Sequence, residues 1–178
     1  MTDASDRRAA EERFQPVFSH LGAVAAYARR RGSRDADAVA AEVMTIAWRR
    51  LSDVPRDDPR PWLYATARNV VQADARRSAR AAAHGAGEPG DLAPPPEIPE
   101  LDPALAEALR SLSRLEREAL LLVAWEDLTP TQAARSLGIN ATAFRVRLLR
   151  ARRRLRARLD EASNGSHAET THLDLETT

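Results

Sequence analysis

Apolar residues recur at three- and four-residue intervals through the N-terminal half of the chain, the spacing of one face of an α-helix. The pattern predicts a helix over 9–31 that ends at Gly32, a second over 35–51 and a third over 59–83, with a loop rich in Asp and Pro over 52–60. The positions expected to face the core are Phe14, Val17, Phe18, Leu21, Val24, Ala25 and Ala28, then Val39, Val43, Ile46 and Ala47 with Trp48 as a further candidate, then Trp62, Leu63, Ala67, Val70 and Val71. Strand-like alternation is nearly absent, so the pattern predicts an all-α fold.

Composition changes abruptly over 84–103. This stretch holds three of the seven glycines and six of the eleven prolines, which predicts a flexible, extended linker between two small helical domains. Beyond it, Asp102 and Pro103 can cap a new helix, and Ser113 with Glu116 forms a capping box for the helix that runs to Trp125. The expected inward positions are Leu105, Leu109 and Leu112, then Leu120, Leu121, Val123 and Ala124.

A helix-turn-helix is predicted next. Thr129 is an N-cap, Pro130 occupies the first helical position, and Gln132 completes a capping box. Gly138 allows a tight turn, and Asn140 can cap the second helix. The buried stripe of that helix is predicted to be Phe144, Leu148, Ala151 and Leu155.

The second helix of this motif is strongly cationic. Its other faces carry eight arginines in fourteen residues and no acid: Arg145, Arg147, Arg150, Arg152, Arg153, Arg154, Arg156 and Arg158. A solvated helix face is the alternative interpretation, but such faces usually mix Glu or Asp with the bases. An unrelieved arginine helix therefore favours binding to a nucleic acid.

A second cationic region lies in the C-terminal half of the third helix. Arg68, Asn69, Gln72, Arg76, Arg77 and Arg80 occur there against one acid, Asp74. The helix dipole favours bases at a C-terminus, which accounts for one or two arginines but not for the amides between them.

The small net charge of the whole chain conceals an uneven distribution of acidic and basic residues. The net charge is +1, all 27 basic residues are arginine, and two stretches, 81–109 and 160–178, hold acids without any base. Arginine suits phosphate and guanine contacts, although a GC-rich genome would produce the same preference. The tail 161–178 is predicted to be a disordered acidic segment.

The sequence gives little support for catalysis, metal binding or membrane insertion. The chain has no cysteine, His20 and His84 are isolated, and His167 and His172 lie in the acidic tail. No cofactor or metal site and no catalytic residues are predicted. The N-terminus is polar and no apolar run is long enough to span a bilayer, so a cytoplasmic protein without membrane insertion is expected.

Four stretches together resemble the extracytoplasmic-function (ECF) sigma factors of bacterial RNA polymerase, sigma-70 family members that keep only regions 2 and 4. They are AEVMTIAWRRL at 41–51, RPWLYATARNV at 60–70, LSRLEREALLLVAWEDLTPTQAARSLG at 112–138 and AFRVRLLRARRRL at 143–155. The resemblance implies a three-helix region 2 domain over 9–83, the linker over 84–103 and a region 4 helix-turn-helix domain over 104–160.

The resemblance also implies functional residues. Region 2 would dock on the β′ clamp helices of core polymerase through Asp37, Glu42 and Arg49, and region 4 would meet the β flap. The minus-ten element would be read and melted by Asn69, Gln72, Arg76, Arg77 and Arg80, with Trp62 structural. The minus-35 element would be read by Thr142, Arg145, Val146, Leu149 and Arg150, with Arg147 and Arg153 on phosphates. An anti-sigma factor is a further expected partner beside promoter DNA.

The chain departs from the usual family pattern at several positions. Ala38 and Ala41 stand where region 2.2 usually has Asp and Gln, and Asp74 lies one step from the usual register of the region 2.4 acid. The main alternative function is an autonomous helix-turn-helix regulator, which would bind duplex DNA unaided and would need no docking helix.

Overall fold

The computed structural model describes the backbone of residues 2–84 and 101–173 and the side chains of residues 4–80 and 101–164. Its helices are α1 (Thr2–Phe18), α2 (Leu21–Arg29), α3 (Ala36–Arg49), α4 (Arg60–His84), α5 (Pro103–Ser111), α6 (Arg114–Ala124), α7 (Pro130–Leu137) and α8 (Ala141–Leu173). No strand occurs in these ranges, which confirms the all-α prediction. The chain divides into two compact units, the first built on α1–α4 and the second on α5, α6 and α8. Most of the predicted linker, residues 85–100, lies outside the described residues.

The single helix predicted over 9–31 is wrong, because α1 and α2 are separate helices that break at Ser19 and His20. The Ser19 hydroxyl donates to the Pro16 carbonyl at 2.7 Å, and the His20 amide turns back to Val17. A serine that bonds to its own backbone competes with helix continuation. Both helices pack on α3, so the apolar pattern crosses the break without interruption and the first unit has four helices, not three.

The core of the first unit lies where α2, α3 and α4 meet. Tyr27 is fully buried and stacks on Tyr64 at 5.1 Å between ring centroids, while the guanidinium of Arg31 lies 3.4 Å from the Tyr27 ring centroid. Asp35 caps α3 by accepting from the Ala38 amide at 2.8 Å, a role that was not predicted from the sequence. A short 3-10 turn at Leu51–Asp53 spans the predicted boundary between the second helix and the loop over 52–60.

The second unit packs α5 and α6 against α8. Asp102 caps α5, and Ser113 and Glu116 form the predicted capping box of α6. Between these helices, the Arg117 Nη2 donates to the carbonyls of Arg110 and Leu112, each at 3.2 Å. Some expected inward positions lie outside the core. Leu105, Leu109 and Val123 are half-buried, Ala124 is exposed, and Leu122, at an unpredicted position, is fully buried.

The disordered tail predicted from residue 161 is wrong for residues 161–173, because α8 continues to Leu173. No proline interrupts this part of the chain, and alanine and glutamate favour helix. Arg158 and Glu161 pair at 3.0 Å, and the Ser163 hydroxyl donates to the Leu159 carbonyl at 2.9 Å across the predicted boundary. Residues 174–178 lie outside the described range.

Candidate nucleic-acid interface

The helix-turn-helix is built by local hydrogen bonds that the sequence predicted. Gln132 Oε1 accepts from the backbone amide and the hydroxyl of Thr129, each at 2.7 Å, which closes the capping box of α7. Gly138 adopts a φ of 65°, the left-handed conformation that glycine adopts most easily, and it ends α7. Asn140 Oδ1 then accepts from the Ala143 amide at 2.7 Å and caps α8. The start of the cationic helix is therefore determined within a few residues.

Helix α8 has one buried and one exposed face in its first four turns. Phe144, Leu148 and Ala151 are buried as predicted, and Leu155, the fourth predicted position, is half-buried. On the opposite face, Val146 is 44% exposed and Leu149 is 50% exposed. Apolar side chains left in solvent on an otherwise cationic helix are suited to contact an apolar group on a partner, such as the methyl of thymine.

The structure leaves the predicted minus-35 residues accessible. Arg147 is half-buried and the other six are exposed; these are Thr142, Arg145, Val146, Leu149, Arg150 and Arg153. Thr142, Val146, Leu149 and Arg153 recur at three- and four-residue spacing and so share the outer face. Arg145 lies to one side of this face and Arg150 to the other.

An open groove of about 740 Å³ runs between the start of α8 and the start of α6. Arg147 and Arg150 line it together with Thr142 and Val146. The α6 side is formed by Ser113, Leu115 and Glu116. The groove thus joins three predicted base-reading residues and one predicted phosphate contact to a helix that the sequence did not implicate.

Glu116 and Arg154 form an interaction that sequence reasoning missed. Glu116 Oε2 accepts from the Ser113 hydroxyl at 2.7 Å, the Ser113 amide at 3.3 Å and the Arg154 Nη1 at 2.9 Å. The hydrogen bond from the Ser113 hydroxyl is the main cause that lowers the pKa of Glu116, and Arg154 adds to it. The capping-box spacing revealed the Ser113 contact, but no sequence signal links residues 38 apart.

The minus-ten candidates lie on α4. Asn69, Arg76, Arg77 and Arg80 are exposed, and Gln72 is half-buried. Asn69, Gln72, Arg76 and Arg80 share one helix face by their spacing. Arg77 lies beside that face and pairs with Asp74 at 3.3 Å. Trp62 is half-buried, with the Arg50 guanidinium 5.9 Å from its ring centroid.

The three docking candidates on α3 are all exposed, but they do not share one face. Glu42 and Arg49 are seven residues apart and therefore align along the helix, whereas Asp37 lies on a different side. Trp48, a candidate inward position, is 41% exposed and contacts Phe14 edge-on at 5.2 Å between ring centroids.

Comparison with known proteins agrees with this arrangement. Residues 103–155, which contain the groove and six of the eight arginines of α8, match the family described as sigma-70, region 4. The chain is also 30% identical over 162 residues to the RNA polymerase sigma factor NccH of Alcaligenes xylosoxydans xylosoxydans, covering 83% of this chain and 87% of NccH. The chain belongs to the ECF sigma factors.

Solved structures share the fold of this sigma factor. CnrH, solved in complex with the cytosolic domain of CnrY, is 31% identical with a TM-score of 0.59, covering 87% of this chain and 90% of CnrH. RpoE of Bartonella quintana, solved with the anti-sigma factor NepR, is 24% identical with a TM-score of 0.61, covering 82% of this chain and 95% of RpoE. The likeness to RpoE concerns the fold alone.

As a sigma factor, the protein is a non-enzymatic factor of transcription initiation. This confirms the family expected from its four sequence stretches and displaces the autonomous regulator. No helix within 2–84 or 101–173 is long and apolar enough to cross a bilayer. Among the described side chains, those of residues 4–80 and 101–164, no group of three or more His, Asp or Glu is arranged to hold a metal ion.

Proposed function

We propose that this sigma factor reads the minus-35 element of its promoters with the exposed face of α8. The observation that carries the proposal is the division of that helix. Phe144, Leu148 and Ala151 hold it in the second unit, while every predicted base-reading side chain remains accessible to solvent. A helix held in this way can enter the major groove of DNA without unfolding any of its own contacts.

The side chains of that face suit a minus-35 element that contains both guanine and thymine. Arg145 and Arg150 can each form two hydrogen bonds to a guanine, and Thr142 can bond to either kind of base. Val146 and Leu149 lie between them and suit thymine methyl groups. Arg147 and Arg153 contact phosphates, which fix the position of the helix on the duplex.

Helix α4 is proposed to capture the minus-ten element. Asn69, Gln72, Arg76 and Arg80 share a face, so that two amides able to bond to unstacked bases are followed along the helix by two cations able to contact the backbone. Arg77 joins this surface once DNA competes with Asp74, which holds it only by an exposed ion pair of the kind worth about 0–1 kcal/mol.

Docking on core RNA polymerase is assigned to α3. Glu42 and Arg49 lie along one side of this helix and meet the β′ clamp helices, with Asp37 contacting from an adjacent side. The second unit meets the β flap. In this assignment residues 9–83 form region 2, residues 84–103 form the linker and residues 104–160 form region 4. The protein works in the cytoplasm, where RNA polymerase is located.

An anti-sigma factor is the proposed regulator. CnrH, which resembles this chain over most of its length, has been solved in complex with the cytosolic domain of CnrY. A partner of this kind controls a sigma factor by covering the surfaces that it needs for core polymerase or for DNA.

The test is reconstitution with core RNA polymerase followed by run-off transcription from a genomic promoter pool. The proposal expects a stable complex and transcripts from a limited set of promoters that share two elements. Arg145→Ala should weaken transcription from these promoters, while Arg8→Ala, a change in an exposed arginine of α1, should not. A complex that transcribes equally well from promoters with a scrambled minus-35 element would overturn the role of α8.

A further inference from the structure

The groove beside the reading face contains one carboxylate, and its environment sets it apart from the acids on the surface. The side chain of Glu116 is only 9% exposed, and three donors converge on a single oxygen, from the Ser113 hydroxyl, the Ser113 amide and Arg154. A carboxylate withdrawn from water needs such partners, because an unpaired charge in that position is costly. Arg154 supplies the one positive charge within hydrogen-bond distance of it among the described residues.

This ion pair joins two helices that are far apart in the chain. Glu116 lies in the first turn of α6, and Arg154 lies in the fourth turn of α8, at a distance of 2.9 Å between Oε2 and Nη1. Arg147, Arg150 and Arg154 occur at spacings of three and four, so they lie along the same flank of α8. Holding Arg154 against α6 therefore limits the rotation of α8 about its own axis.

Rotation of this helix decides which side chains reach the bases. A turn of one residue position would carry Val146 and Leu149 away from the outer face, because neighbouring helical positions point in different directions. Recognition side chains must be held to a fraction of an ångström by the residues that support them.

We propose that Arg154 is a positioning residue for promoter recognition, holding the reading face of α8 in register through Glu116 and making no phosphate contact of its own. The inference rests on the proposed function of α8 and separates Arg154 from the seven other arginines of that helix. It also gives Glu116 two tasks, one in capping α6 and one in orienting α8.

Direct phosphate contact is the competing role, because the Arg154 side chain is 65% exposed and belongs to a cationic series. The two roles predict opposite signs for Glu116→Gln. Glutamine at this position keeps the capping box, so the substitution removes the charge and spares the cap. If Arg154 contacts phosphate, losing the carboxylate frees it and tightens DNA binding. If Arg154 positions the helix, the same change weakens specific binding.

The experiment uses the holoenzyme and a promoter selected in the run-off assay, with binding measured over a series of salt concentrations. Arg154→Gln and Glu116→Gln are each expected to weaken binding about three- to tenfold, a shift of roughly 1 kcal/mol by the usual conversion. The double variant should be no weaker than either single variant, since both remove the same contact. The salt dependence should keep its slope in all three.

Arg152→Gln is the matched control, since it removes one charge from an exposed position of the same helix, away from α6. A loss of about 0.9 in the salt slope for Arg154→Gln, the value for one phosphate contact, would overturn the proposal. Tighter binding by Glu116→Gln, or additive effects of the two changes, would also overturn it.

A second measurement separates this inference from the proposed function. Thermal unfolding of the free full-length chain, with the same three variants, gives the coupling between Glu116 and Arg154 without DNA or polymerase. If the reconstituted wild type failed to transcribe, the proposed function would fall, while measurable coupling would still support the contact. Absence of coupling would overturn the positioning role whatever the transcription result.

Discussion

Asn140 offers a substitution whose effects on stability and on DNA binding should have opposite signs. Its side chain caps α8 through the Ala143 amide at 2.7 Å, and it also lines the groove with Arg147 and Arg150. Asn140→Asp keeps the capping oxygen, because Asp and Asn are about equal at an N-cap. The added negative charge lies at the positive end of the helix dipole, which is worth about 0.3–1 kcal/mol. The free protein should therefore be as stable as wild type or slightly more stable.

Promoter binding by this variant should weaken. A new carboxylate about 4 Å from a phosphate is repelled by about 1 kcal/mol in water, which corresponds to a loss of about fivefold in affinity. Asn140→Ala provides the contrast. It removes the cap at a cost of about 1 kcal/mol and should lower the unfolding temperature by about 4–8 °C for a unit of this size.

Calorimetry of the full chain and salt-dependent promoter binding by the holoenzyme measure the two effects. The affinity deficit of Asn140→Asp should shrink as salt rises, since salt screens exposed charges. The reasoning would be refuted if Asn140→Asp bound the promoter as tightly as wild type at low salt. It would also be refuted if the variant lost as much stability as Asn140→Ala.

Three further predictions concern the second unit and the turn. Arg117→Met should lower the free energy of unfolding in denaturant titration by about 1–3 kcal/mol, because it leaves the part-buried carbonyl of Leu112 without its donor, whereas water can replace the donor at the exposed carbonyl of Arg110; a change of a few tenths would argue against the contact with Leu112. Gly138→Ala should cost about 1 kcal/mol in the same assay, from backbone conformation alone, because φ is 65° and no atom lies within 4 Å of an added Cβ. A loss of several kcal/mol would reveal a clash. The pKa of Glu116 is held below its ordinary 4.5, so its contribution to stability is present above that pH and is lost as pH falls below it. Glu116→Gln should flatten this part of the acid-unfolding profile, and an unchanged profile would contradict the assignment.

The sequence by itself determined where most helices begin. Asp102, Ser113, Thr129 and Asn140 were all predicted to cap helices, and all four do so in the structure. Each capping bond joins residues two or three positions apart, so its partner is already present in the local sequence. The cationic face of α8 and its buried stripe could also be predicted, because the helical period places residues three and four positions apart on the same face.

Helix breaks and helix ends were less predictable. The apolar stripe runs past Ser19 and His20 because both α1 and α2 pack on α3, and periodicity cannot distinguish one long helix from two that share a core. The end of α8 was misjudged because a polar composition suggested disorder, whereas residues 161–173 continue a helix anchored in the second unit.

Contacts between distant residues were decided by the tertiary structure alone. Glu116 and Arg154 are 38 residues apart, and each has an ordinary local role, one as a capping residue and one as a member of an arginine run. Their pairing exists because α6 packs against α8 at one particular rotation. The sequence therefore determined which side chains the reading helix carries, and tertiary packing decided which way they point, because a helix acquires a fixed rotation only when another element holds it.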